Sequence, residues 1–275
     1  MDLKRKLRAG DRPVGGWCSL PSPSVAEALA TAAFDFVAID TEHATATTEA
    51  VENGIRAVEA VSGATEPLVR VAEVDATRIA RALDAGAAGV MAPQVNTVES
   101  ARELARACRY PSQEADDAPA EAEGSKGDGS SSVNTGTRGV GLGRASAYGR
   151  RIDETVRTAN DEVAVIAQIE TERGVENAEA IADVAGIDAL FVGPADLSAS
   201  LGRFRAFDDP AFETAITRSV AAAEMAGIPV GTLATSEKRI DAWLDAGFDF
   251  LIVGTDAGFL AAGADRAIDR YEESV

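Results

Sequence analysis

One histidine, two cysteines and four lysines leave this chain of 275 residues short of the side chains on which much protein chemistry is built. Cys18 and Cys108 are far apart and in no CxxC pattern, which excludes a disulfide framework and a thiolate zinc site and points to a reducing compartment. No stretch approaches the 18 or more apolar residues of a membrane span. The basic start, MDLKRKLRAGDRP, lacks the apolar run of a signal peptide, so a soluble cytoplasmic protein with no membrane partner is expected. Positive charge is scarce as well: 26 Lys and Arg stand against 45 Asp and Glu, for a net charge of −19 and a pI near 4.4. Such a surface repels nucleic acid and anionic lipid. Only Lys4, Lys6, Lys126 and Lys238 are lysine, so 22 of the 26 basic residues are arginine. Acid excess with lysine depletion suits a halophile, in whose molar salt a Debye length of about 3 Å screens the self-repulsion.

What is present is a rhythm. Short β-branched runs at 14–20, 34–40, 67–74, 88–95, 162–170, 187–193, 228–234 and 248–254 alternate with alanine-rich helical patterns, several closed by glycine. LDAGAAGVMAP (83–93) and LDAGFDFLIVG (244–254) repeat the same helix end, glycine cap and buried strand. Eight apolar strands separated by helices predict one α/β domain, a closed (β/α)8 TIM barrel, with an open sheet as the alternative. Residues 112–135, SQEADDAPAEAEGSKGDGSSSVNT, carry Val133 as their one β-branched aliphatic and cannot bury enough surface to offset chain entropy. They are expected to be a disordered insertion within that domain. A last helix is expected over 257–275.

In such a barrel, chemistry gathers at the C-terminal ends of the strands. That rim would carry Asp40 and His43 after strand 2, Arg70 late in strand 3, Pro93 and Gln94 after strand 4, Gln168 and Glu170 ending strand 5, and GPADLS (193–198) after strand 6. Arg70 interrupts the apolar run PLVRV, where a guanidinium is costly without an anion to face it. A structural ion pair inside the barrel is the competing, less favoured reading. Glu170 and Asp196 form a hard-oxygen pair suited to Mg²⁺ or Mn²⁺, with Co²⁺ acceptable, although spacing alone does not separate them from decorative surface acids. For His43, a satisfied loop histidine is the competing reading.

Five segments, GGWCSLPSPSVAEALATAAFDFVAIDTEHA, PLVRVAEVDATRIARALDAGAAGVMAPQV, RGVGLGRASAYG, IAQIETERGVENAEAIADVAGIDALFVGPADLSASLG and FDFLIVGTDAG, resemble in order the HpcH/HpaI aldolases. These are metal-dependent pyruvate aldolases of the pyruvate/phosphoenolpyruvate barrel group. The resemblance covers residues 12 to 262 except the insertion. It implies cleavage of a 4-hydroxy-2-oxo acid to pyruvate and an aldehyde through a metal-stabilised enolate. By that resemblance His43 of DTEH is the acid/base, with Asp40 or Asp84 orienting its ring. Arg70 donates to the enolate oxygen, Glu170 and Asp196 hold the metal, and Gln168 and the backbone of Gly193 and Ala195 bind substrate. Trp17 and Leu233 line the pocket. Asp84 reaches the histidine of a neighbouring subunit, so a homo-oligomer, a hexamer by resemblance, is implied. The lysine count agrees, since no lysine falls on a barrel strand where a Schiff base could form. A citrate lyase β or malyl-CoA lyase type of thioester lyase, a ligand-binding barrel without turnover, and a phosphate-binding isomerase using GTDAG (254–258) remain as alternatives.

Overall fold

The computed structural model describes residues 2–61, 63–111 and 136–275, so the expected insertion at 112–135 lies outside the described residues. The chain runs α1 (Leu3–Ala9), β1 (Val14–Cys18), α2 (Pro23–Ala30), β2 (Phe36–Asp40), α3 (Thr48–Ala60), β3 (Glu66–Arg70), α4 (Ala76–Asp84), β4 (Gly89–Ala92) and α5 (Val98–Ala107). It continues through α6 (Ile152–Glu162), β5 (Ala164–Ile169), α7 (Glu172–Glu176), α8 (Ala178–Ala182), β6 (Ala189–Val192) and α9 (Pro194–Ser200). The last elements are α10 (Pro210–Ala226), β7 (Val230–Leu233), α11 (Glu237–Asp245), β8 (Phe250–Thr255) and α12 (Asp256–Glu272). The eight parallel strands close in sequence order into the (β/α)8 barrel that the alternating pattern predicts. Local chemistry sets the helix ends. Asp75, Thr97 and Ser236 cap α4, α5 and α11 by accepting a backbone N–H three residues on, and Gly86 and Gly247 follow α4 and α11 at φ of 106° and 94°.

Period-2 alternation sorts the strand side chains into two layers. One set faces the helices, including Val37, Val69, Val90, Val165 and Leu190. The other fills the barrel with Phe36, Ala38, Leu68, Met91, Ile166, Phe191, Phe250 and Ile252. The rings of Phe36 and Phe250 need glycine beside them: a Cβ on Gly15 would lie 2.4 Å from Phe36, and one on Gly231 would lie 2.3 Å from Phe250. Extending the inner set by one step toward the C-terminal ends brings Trp17, Asp40, Arg70, Gln168 and Leu233 to the mouth. On β2 and β3 the barrel interior therefore changes from apolar to charged over two residues, from Ala38 to Asp40 and from Leu68 to Arg70.

Three features depart from the sequence reading. VENAEAIADVAG forms two short helices, because Asn177 leaves helical geometry (φ −100°, ψ 2°) and its amide donates to the Asn96 carbonyl at 2.8 Å. The N-terminal segment folds as α1 and plugs the barrel floor, with Leu3 and Leu7 joining the inner cluster. Lys4 on that helix does not merely precede the barrel but is 2% exposed within its floor. Its ammonium lies 3.2 Å from Asp188 and donates to the carbonyls of Asn160 and Val163, both at 3.0 Å. Burial pulls its pKa down against the opposing pull of Asp188. It sits at the end of the barrel away from the mouth, and among the described residues the lysines lie on α1 and α11, not on a barrel strand. Helix α12, by contrast, buries only Asp256, while Leu260, Ile268 and Tyr271 are exposed. No described helix is long and apolar enough to cross a membrane.

The floor pair gives a stability test. Asp188→Ala strands the Lys4 charge inside the protein, so a loss of about 3–5 kcal/mol is expected in urea unfolding. Replacing Lys4 by Met in that background should recover most of it.

Candidate active site

Asp40 and Arg70 are register partners on β2 and β3, and their side chains meet inside the mouth. Arg70 Nε and Nη2 donate to Asp40 Oδ1 and Oδ2, each at 2.8 Å, a bidentate pair buried on both sides. Arg70 Nη1 lies 2.8 Å from Glu42 Oε2, and its guanidinium stacks on the Trp17 ring at 4.6 Å. Of five guanidinium N–H groups, two are committed to Asp40 and a third faces Glu42, leaving one on each terminal nitrogen. Burial would raise the Asp40 carboxyl, but the hydrogen bonds and charge of Arg70, with the amides of Glu42 and His43, outweigh it and hold the group below its ordinary value. Glu42 goes the other way, raised by burial that the Arg70 charge only partly offsets.

Glu170 stands across the mouth at the end of β5, 2% exposed. Its Oε2 accepts the Gln94 N–H at 2.9 Å. Gln94 presents that amide by taking a left-handed φ of 52°, a strained setting for a non-glycine residue. Space for the carboxylate comes from Gly193, where a Cβ would lie 2.7 Å from Glu170 Oε1. Burial pushes the Glu170 pKa up from an ordinary 4.5 to about 7, the Gln94 amide opposing and the charges of Asp196 and Glu42 adding to the rise. Ala195 and Asp196 lie exposed in the first turn of α9, where an acid also suits the helix dipole. Gln168 is buried beside this group and its Oε1 has no hydrogen-bond partner; Glu42 Oε2, despite its nearness to Arg70, lacks one of proper geometry. Around one guanidinium the mouth thus gathers Asp40, Glu42, Glu170 and Asp196, with two buried acceptor oxygens lacking a donor. Among the described residues no cluster of three or more His, Cys, Asp or Glu forms a ready-made metal cage. The donor set is oxygen-only, anionic and deficient in cation, which is what a hard divalent ion with several retained waters requires.

His43 lies beyond this layer on the β2–α3 loop, two-thirds exposed, its Nε2 3.8 Å from Glu42 Oε1. Neither carboxylate expected to orient its ring does so within one chain. Both Asp40 oxygens are taken by Arg70. Asp84 ends α4 before β4 begins, which places it at the N-terminal end of the barrel, where Arg138 Nη2 holds it at 2.8 Å. The GTDAG turn is not an open anion cradle either, because the Asp256 carboxylate already accepts the Ala257 N–H there.

A profile of the HpcH/HpaI aldolase/citrate lyase family matches residues 14–262. The chain belongs to that family. It is 38% identical to a hydroxypyruvate/pyruvate aldolase of Paraburkholderia phytofirmans, over 97% of this chain and 95% of that protein. To a 4-hydroxy-2-oxovalerate aldolase of Novosphingobium aromaticivorans it is 37% identical, over 99% of this chain and 95% of the other. The crystal structure of a family member from Burkholderia cenocepacia superposes with a TM-score of 0.86 at 39% identity, covering 98% of this chain and 99% of that one. Membership and barrel both meet the expectation drawn from the five segments.

Three parts of the site escaped the sequence reading. Glu42 adjoins the lone histidine, but loop residues have no alternation to tell which of them turns inward. The left-handed Gln94 amide leaves no signal in side-chain identity. The stacking of Trp17 on Arg70 needs two strands, β1 and β3, that are not neighbours.

Glu170 sets a pH test on chelator-treated protein. Its folded pKa lies above the unfolded one, so the folded state holds the proton more tightly and the contribution is full below about pH 4.5 and lost as pH rises through about 7. Melting temperatures should fall from pH 5 to pH 8 more steeply in the wild type than in Glu170→Gln.

Proposed function

We propose that the chain is a divalent-metal-dependent aldolase that cleaves a 4-hydroxy-2-oxo acid to pyruvate and an aldehyde, or runs the reverse addition. The observation that carries this reading is the buried Arg70 guanidinium, fixed by Asp40 with two N–H groups to spare, at a mouth otherwise lined by carboxylates. Glu170 and Asp196 would hold a metal ion, with Gln168 as a further oxygen at hand. When bound, such an ion supplies positive charge that draws a 2-oxo acid into an acidic mouth and favours charge developing on its keto oxygen.

The chain's own residues do the rest. Arg70 directs its free N–H groups at the oxygen on which enolate charge builds, and because Asp40 fixes its plane, little reorganisation accompanies the reaction. Trp17 and the Arg70 stem shield that oxygen from water on one side. His43, reachable from solvent, takes the C4 hydroxyl proton as the C3–C4 bond breaks and its electron pair passes into the enolate, whose C3 then takes a proton from solvent to give pyruvate; in the addition direction C3 loses that proton first and His43 returns one to the new C4 oxygen. Glu42, nearest to its ring, is the carboxylate within the chain able to influence it. Leu233, partly buried at the end of β7, offers an apolar wall.

His43→Ala should lower kcat by about 10²- to 10⁴-fold with an unchanged melting temperature, since the ring is exposed and makes no hydrogen bond among the described residues. EDTA should abolish turnover and Mn²⁺ or Mg²⁺ restore it. Activity retained after either treatment would overturn the assignment.

Asp84 supports an oligomeric reading. Held by Arg138 at the far end of its own barrel, it can meet a mouth only in a second copy, and in this reading the protein is a homo-oligomer with Asp84 orienting the neighbour's His43. Co-expressing His43→Ala with Asp84→Ala tests this, because some mixed interfaces then combine an intact histidine with an intact aspartate. Activity well above that of either variant alone is expected; no recovery would remove Asp84 from the site.

A further inference from the structure

Asp256 is a buried acid with no part in the chemistry above. It is 5% exposed and the only buried residue of α12. Its Oδ1 accepts the Ser19 hydroxyl at 2.7 Å and the Ala257 N–H at 2.8 Å, while Oδ2 accepts the N–H groups of Ser19 at 3.0 Å and Leu20 at 2.7 Å. Four donors saturate the carboxylate, and among the described residues it has no cationic partner. Three of the four come from one turn, more than 230 residues upstream. That turn leaves the end of β1, two residues after Trp17.

The location matters because the β1–β8 seam is irregular there. Gly15 pairs with Ile252, but Trp17 pairs with Thr255, so the ladder slips by one residue just where β1 delivers Trp17 to the mouth. Beyond a slip the ladder no longer fixes the strand's direction by itself. Asp256, the residue after Thr255, takes over with hydrogen bonds to the next available donors. We infer that Asp256 is a positioning residue of the active site: by clamping the Ser19–Leu20 turn it holds the Trp17 ring against the face of Arg70. Nothing in this role requires it to touch substrate. The inference rests on the reading of Arg70 as the group that faces the enolate oxygen.

Asp256→Asn is nearly isosteric, yet its amide nitrogen can only donate, so it opposes at least one of the N–H groups the carboxylate now accepts. Ser19→Ala is the gentler variant, removing one donor and leaving both backbone bonds. Trp17 and Trp243 are the two tryptophans of the chain, so a Trp243→Phe background makes Trp17 the only indole. In that background, well below the melting temperature, Asp256→Asn should red-shift Trp17 emission, raise its acrylamide quenching and lower kcat/KM about tenfold or more, with Ser19→Ala intermediate in each. The deciding measurement is a double-mutant cycle. If Asp256 acts through the indole, Asp256→Asn should cost little further activity once Trp17 is Phe. Losses that simply multiply, or Trp17 emission unchanged in both variants, would overturn the role. Should Asp256→Asn not fold, Ser19→Ala with Trp17→Phe decides by the same criterion. Failure of the aldolase reading looks different, since the unsubstituted protein would then show no cleavage while the emission of Trp17 still reports on the clamp.

Discussion

The mouth of this barrel is organised by a shortage of positive charge. One guanidinium faces four carboxylates, two of which fix it in place and two of which stand opposite with little to neutralise them. Burial of a carboxylate with little counter-charge raises its proton affinity, and Glu170 shows that shift. In the proposed function the same imbalance would disfavour an anionic oxo acid alone and favour a divalent ion. Holding Arg70 by two oxygens in one plane, with an indole on its face, turns a flexible cation into a directed one. Much of the surrounding sequence can be understood as keeping that arrangement open, from the bare Cα of Gly193 to the left-handed Gln94.

The scaffold contributes by being full everywhere else. Aromatic rings occupy the barrel interior down to a floor sealed by α1, so a ligand entering from the C-terminal end meets charge at once and cannot sink deeper. Glycines opposite the rings are consequences of that filling. The buried Lys4–Asp188 pair at the floor and the Arg70–Asp40 pair at the mouth are chemically alike yet differ in what is left over. Lys4 has its three protons directed at Asp188 and two carbonyls, whereas Arg70 keeps two N–H groups uncommitted. Unused donor capacity distinguishes the cation at the mouth from the one at the floor.

Much of this was legible in the residues themselves. Strand ends gave Asp40, Arg70, Gln168 and Glu170 as rim residues, while Trp17 and Leu233 came from the resemblance alone and the structure shows why they join that layer, as the next inward positions of β1 and β7. Glycine caps fixed the strand starts after Gly86 and Gly247. What stayed hidden depended on geometry that composition does not encode. Arg70 could be read as a structural ion pair or as a cation facing an anion; the structure shows the ion pair and leaves the guanidinium donors enough for the second task. Asp84 and His43 lie on successive βα units but at opposite ends of the barrel, a separation visible only once helix α4 is known to run the full height. GTDAG offered an anion cradle because it opens the last helix; an aspartate of the same motif accepts an amide there instead.

Closing the barrel joins β1 to β8, the first and last strands of the sheet, across a sequence separation of more than 230 residues. On a ribosome the N-terminal strand must wait, one edge unpaired, until almost the whole polypeptide has emerged. Closing so long a loop adds entropy cost only logarithmically, but it delays the event. Catalytic competence would therefore arrive in a single late step, leaving no partly made chain able to turn over substrate.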